Sequence, residues 1–180
     1  MFRDNKGLSY IELILVIAIM TMMAGIATIS MGMVNRNNIN RASDKVISAF
    51  NEARSNALSK GSDNGWLNVT NKDGIIYYNI GKPISDGLSV DFDTQKWDKL
   101  TQSPIEFYVG STTKLEDGET FSFQYKQSSG EYLGVKVDGS APVDSSSVDA
   151  DKKTVMLKNS SSEKSISLKI EKFSGKVSLL

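Results

Sequence analysis

No cysteine and no histidine occur among the 180 residues of this chain. Without cysteine there are no structural disulfides, no thiol nucleophiles and no cysteine-based zinc sites. Without histidine the usual general base and triad partner is missing. No P-loop and no dinucleotide-binding glycine pattern occurs either, so enzymatic activity is not expected. Charge of one sign is also lacking, because 21 Lys and Arg balance 21 Asp and Glu. Residues 61–180 carry 14 basic against 17 acidic side chains, a net of −3. A nucleic-acid-binding domain normally shows a basic footprint, so nucleic acid is not expected as a partner. Lys164, Lys169, Lys172 and Lys176 are read as a mixed-charge solvated face.

Charge is missing most conspicuously from Leu13 to Asn35. The run Leu13–Val34 (LILVIAIMTMMAGIATISMGMV) predicts a membrane-spanning helix over about 13–34. Its insertion is favoured by many Leu, Ile and Val side chains, which outweigh one acid near the end. That acid is Glu12, and ionised groups at such a place usually mark a function or a partner. A stripe of small residues, Ala18, Thr21, Gly25, Thr28 and Gly32, falls on one helical face and permits close helix–helix approach. An ordinary secretory signal has a cleavage site after its apolar stretch; none follows this one. The plausible cut precedes it, at Gly7, after a short leader with Arg3 and Lys6.

Gly7-Leu8-Ser9-Tyr10-Ile11-Glu12 resembles the class III signal of type IV pilins and pseudopilins, usually written Gly-Phe-Thr-Leu-Ile-Glu. The resemblance implies that a prepilin peptidase cuts between Gly7 and Leu8 and methylates Leu8. It further implies that the Glu12 carboxylate pairs with the N-terminal amine of a neighbouring subunit during assembly. An acid and an ammonium attract strongly at low dielectric, and leaving either alone is expensive. Leu8 and Tyr10 depart from the pattern but leave the cut and the charge intact. The proline common in related pilins is missing from this region.

Apolar periodicity continues beyond Arg36. Ile39, Ala42, Val46, Ala49, Phe50, Ala53 and Ala57 follow steps of three and four, an amphipathic stripe that Gly61 ends. The helix predicted over 8–60 would be roughly 80 Å long. Arg41-Ala42-Ser43 and Ile47–Ala57 resemble the "AR..A" helix of GspH/FimT-type minor pseudopilins, which close with a short strand containing a glycine, as Ile166–Ile170 and Ser174–Val177 do here. From Trp66 onward, β-prone runs alternate with turns: Trp66–Thr70, Ile75–Ile80, Leu88–Phe92, Ile105–Val109, Phe121–Lys126, Tyr132–Val137, Thr154–Lys158, Ser165–Glu171 and Lys176–Leu180. These predict one antiparallel head of six to nine strands. Residues 138–151 read as an exposed loop; its Asp138, Asp144, Asp149 and Asp151 lack EF-hand spacing, so no metal or other cofactor is expected.

The expected class is therefore α+β, with a long N-terminal helix and a C-terminal antiparallel β-rich head. The expected organisation is a leader over 1–7, a helical stalk over 8–60 and an extracellular head over 61–180. The function implied is that of a structural subunit of a type IV pilus or of a secretion or competence pseudopilus, of the minor kind. A major pilin and a membrane-anchored β-domain binding or sensory protein are the alternatives. Expected partners are other pilin or pseudopilin subunits, the prepilin peptidase, an inner-membrane assembly platform and, before assembly, membrane lipid. The expected location is a single pass through the cytoplasmic membrane, then a surface filament.

Overall fold

The computed structural model describes residues 10–82, 84, 92, 96–101, 103–137, 153–160 and 164–180, with the side chains of 25–37 and 62 outside that description. Contacts divide the chain into two units, Met1–Arg36 and Asn37–Leu180. Helix α1 is assigned over Tyr10–Lys60, and its residues from Asn37 onward belong to the second unit.

The second unit takes the amphipathic stripe as one wall of its core. Ile39, Ala42, Val46, Ala49, Phe50, Ala53 and Ala57 are all buried and join a single apolar cluster with the strands. Their spacing puts them on one helical face, and the four alanines among them let the backbone approach the sheets closely. Gly61, with φ at +96°, ends the helix in the left-handed conformation that glycine adopts without strain. Beyond it a 3-10 turn, Ser62–Asn64, folds back; Asn64 Nδ2 donates to the Lys60 carbonyl at 3.0 Å.

Among the described residues ten strands follow: β1 (Trp66–Lys72), β2 (Ile75–Gly81), β3 (Asp98–Lys99), β4 (Ile105–Val109), β5 (Thr113–Lys114), β6 (Thr120–Tyr125), β7 (Tyr132–Val137), β8 (Thr154–Asn159), β9 (Ser165–Ile170) and β10 (Val177–Leu179). They form two five-stranded sheets, ordered β3-β2-β1-β6-β7 and β10-β9-β8-β4-β5. Every pairing is antiparallel. The β1–β2 hairpin turns at Asp73 and Gly74, both with positive φ, the pair of conformations a tight two-residue hairpin needs.

Phe123 of β6 joins the three layers of side chains. Its ring meets Phe50 of α1 edge-on at 4.8 Å, Phe107 of β4 at 6.3 Å and Tyr132 of β7 at 6.5 Å. Aromatic edge contacts of this kind add to the burial of large apolar area. On the other face of the first sheet, Ser122 Oγ donates to Asn68 Oδ1 at 2.7 Å, so two buried polar groups satisfy one another.

Three expectations are corrected here. Among the described residues ten strands in two sheets make the fold mostly β, so the α+β description with one β head gives way to a two-sheet unit. The sheets separate because β6 pairs with β1 and β8 with β4, long-range choices that turn signals do not report. The membrane-spanning segment expected over 13–34 is overturned: among the described residues no helix is long and apolar enough to cross a membrane. The single-pass membrane location that rested on this segment falls with it. The run Leu88–Phe92 lies outside the described residues except for Phe92.

Candidate assembly surface

The first unit exposes apolar side chains all round its helix. Tyr10, Ile11, Leu13, Ile14, Leu15, Val16, Ile17, Ile19, Met20, Met22 and Met23 are all exposed, from 43% at Val16 to 80% at Tyr10. Consecutive residues advance 100° around a helix, so this exposure covers every direction rather than one stripe. A helix apolar on all sides belongs inside something larger, and contiguous exposed apolar area of this size marks an interaction site. Glu12 is exposed and lies in the first turn of α1, where an acid suits the positive end of the helix dipole. Of the small-residue stripe, Ala18 and Thr21 are exposed, and Thr21 Oγ1 donates to the Ala18 carbonyl at 2.9 Å. The surroundings of Gly25, Thr28 and Gly32 lie outside the described residues, as do Gly7 and Leu8 altogether.

The second unit brings together residues that are far apart in sequence. Arg54 leaves α1 one residue after buried Ala53, and its Nε donates to the Gly130 carbonyl in the β6–β7 turn at 3.3 Å. Gly175, in the β9–β10 turn, has φ at +63°, and a β-carbon there would be driven into the Gly130 carbonyl oxygen. The same β-carbon would stand 3.0 Å from the Tyr125 ring and 3.1 Å from Arg54 Cδ. Tyr125 donates its phenol to the Gly175 carbonyl at 3.4 Å, and Tyr132 N–H donates to the Lys172 carbonyl at 2.9 Å. Helix and both sheets are thus tied at one junction. Sequence reasoning singled out Ala53-Arg54 and Gly175 separately and missed Gly130, whose importance comes only from the close approach. A shallow depression of about 640 Å³ beside the junction is lined by Leu58, Gln124, Lys126, Gln127, Ser128 and Leu133.

The lysines read as one face are dispersed. Lys164 Nζ donates to Asn40 Oδ1 at 3.2 Å, Lys169 lies on β9, and only Lys172 and Lys176 share a turn. The aspartates of 138–151 lie outside the described residues. Among the described residues no group of three or more acidic side chains is placed to hold a metal ion.

The junction tyrosines should make the fold sensitive to alkali. Burial pushes the Tyr125 phenol well above its usual value of 10, and the nearby Arg54 charge only partly opposes this. Burial, reinforced by Tyr125, raises Tyr132 likewise. A phenol whose pKa is raised by folding stabilises the protein fully below the unfolded pKa, about 10, and loses that contribution as pH rises above it. Tyrosine absorbance at 295 nm should therefore show these two phenols ionising only together with the loss of circular dichroism. Ionisation of all six tyrosines near pH 10 with the fold intact would contradict this.

Comparison with protein-family models, with characterised proteins and with solved structures gives no match.

Proposed function

We propose that this chain is a structural subunit of a type IV pilus or of a secretion- or competence-type pseudopilus, assembling through the N-terminal part of α1. One observation carries the reading: the helix from Tyr10 to Met23 exposes large apolar side chains in every direction, with Glu12 the one acid in its first turn. Packing against the same helix of neighbouring copies would cover that surface from all sides, as a filament core requires. The resemblance at Gly7–Glu12 supplies the processing step, cleavage by a prepilin peptidase before Leu8. It also supplies the pairing of Glu12 with the Leu8 amine of the next subunit. The minor, GspH/FimT-like kind is favoured because Ala53-Arg54 and Gly175, which carry the narrower resemblance, meet at one structural junction.

The absence of cysteine makes a direct test simple. Ile17→Cys places one thiol on the exposed helix, at a residue 53% exposed. Labelling that thiol with a short maleimide carrying a photoreactive group, and illuminating assembled material, should give covalent products with neighbouring subunits, this chain or other pilins. Only uncross-linked monomer, with the thiol reactive, would overturn packing through α1.

A further inference from the structure

The compact unit carries opposite charge at the two ends of its first sheet. At one end the β1–β2 turn meets the loop leading into β6. Asp73 N–H donates to Asp117 Oδ1 at 2.7 Å, and Gly118 N–H to the Asn71 carbonyl at 2.9 Å, which locks the two segments together. Asp73, Glu116 and Asp117 are exposed there, and Glu119 is half-buried. The nearby cations are turned to other work: Lys114 Nζ lies 3.2 Å from Glu106, and Lys72 Nζ sits over the Phe92 ring at 4.3 Å. Pro104, exposed beside Gly74, adds a small apolar floor.

β1 and β6 run antiparallel with Thr70 opposite Thr120 and Leu67 opposite Phe123. The β6–β7 turn therefore lies at the other end of the sheet, about 20 Å away. The β9–β10 turn is fastened to it through Gly130 and Gly175. Arg54, Lys126, Lys172 and Lys176 gather at this end. Two acids lie among these four cations, Glu131 facing Lys126 at 3.9 Å and Glu171 accepting from Ser174 Oγ at 2.9 Å, so basic side chains remain in excess. At the tip of the β9–β10 turn Phe173 is 82% exposed, whereas Phe50, Phe107, Phe121 and Phe123 are wholly buried. The turn that carries it is fixed by hydrogen bonds from Glu171 N–H to the Lys176 carbonyl at 2.8 Å and from Gly175 N–H to the Glu171 carbonyl at 2.7 Å. An aromatic side chain presented on a prefixed turn loses little freedom on docking and makes an effective anchor.

We infer that this turn docks on a second copy of the chain. Phe173, Lys172 and Lys176 of one subunit meet Asp73, Glu116, Asp117 and Pro104 of the next. Charge complementarity selects the occupant: the chain as a whole is neutral, so copies do not repel, while its ends attract. Because the two surfaces differ, the contact is heterologous and propagates head to tail instead of closing a pair. It goes beyond the filament reading above, in which subunits pack through α1.

Two full-length single-cysteine variants, Lys176→Cys and Glu116→Cys, produced together test it under mild oxidation. A mixed disulfide between the two variants is expected, and neither variant alone should give a disulfide dimer. In parallel, Lys172→Glu with Lys176→Glu should lower subunit association about tenfold or more. Adding Glu116→Lys and Asp117→Lys to the same chain should restore it. No mixed disulfide, or disulfides formed equally well by each variant alone, would overturn the contact. Ile17→Cys cross-links without the mixed disulfide would sink the contact and leave the filament reading standing. The mixed disulfide without Ile17→Cys cross-links would do the reverse.

Discussion

Replacing Gly175 by alanine is expected to destabilise the folded protein by about 2–5 kcal/mol. The left-handed backbone alone costs a non-glycine residue roughly 1–2 kcal/mol. Forcing a methyl group into a filled space adds about 1–3 kcal/mol. At Gly175 the obstruction is the Gly130 carbonyl oxygen, with Tyr125 and Arg54 packed behind it. None of these can retreat alone, because Arg54 Nε and the Tyr125 phenol are both bonded across the same junction. The midpoint of thermal unfolding should fall by on the order of 10 °C. Gly118 provides the internal control: its φ is +81°, but a β-carbon there would meet nothing within 4 Å. Gly118→Ala should lose only the conformational part, about 1–2 kcal/mol. Equal losses at the two positions, measured by denaturant unfolding, would show that the close approach at Gly175 contributes nothing.

Glu12→Val should leave the compact unit unchanged and reduce incorporation into filaments by about a hundredfold or more. The substitution adds apolar surface to a helix already exposed on all sides, so a purely hydrophobic assembly would tolerate or even favour it. What the valine removes is the counter-charge proposed for the Leu8 amine of the adjacent subunit. Leaving one member of a buried ion pair alone costs about 3–5 kcal/mol, equivalent to roughly two to four powers of ten in association. Quantifying the variant in purified filaments, against its level in whole cells, measures this. Wild-type incorporation would remove Glu12 from the assembly mechanism. Unaltered Tyr125 and Tyr132 titration in the same variant would show that the β-rich unit is intact.

The parts of this fold that follow a short period are legible in the sequence. Ile39 to Ala57 repeat at three and four, and that stripe is the wall of the core because a helix has no other way to bury those side chains. The runs beginning near Trp66, Ile75, Ile105, Phe121, Tyr132, Thr154, Ser165 and Lys176 all appear as strands. β3 and β5, two residues each, carry no pattern at all; they exist because β2 and β4 offer an edge to pair with. The division into two sheets was hidden for a related reason. β1 pairs with β6 across about fifty residues, a choice made by the packing of Phe121 and Phe123 rather than by any turn. Hydropathy misled over 13–34, where an uncharged run suggested a membrane crossing that no described helix makes. At the candidate surface, the acid and the apolar run were plain from Glu12 onward. The opposite charges at the two sheet ends were not, since Asp73 and Asp117 meet only when two turns are folded together.

The proposal that this chain is a processed filament subunit is tested most directly by the mass of its mature N-terminus. Intact-mass and N-terminal peptide measurements should be made on protein from a host that contains a prepilin peptidase. A chain that begins at Leu8, carries one N-methyl group and has lost residues 1–7 is expected. Met1 retained with Gly7 and Leu8 still joined would contradict it.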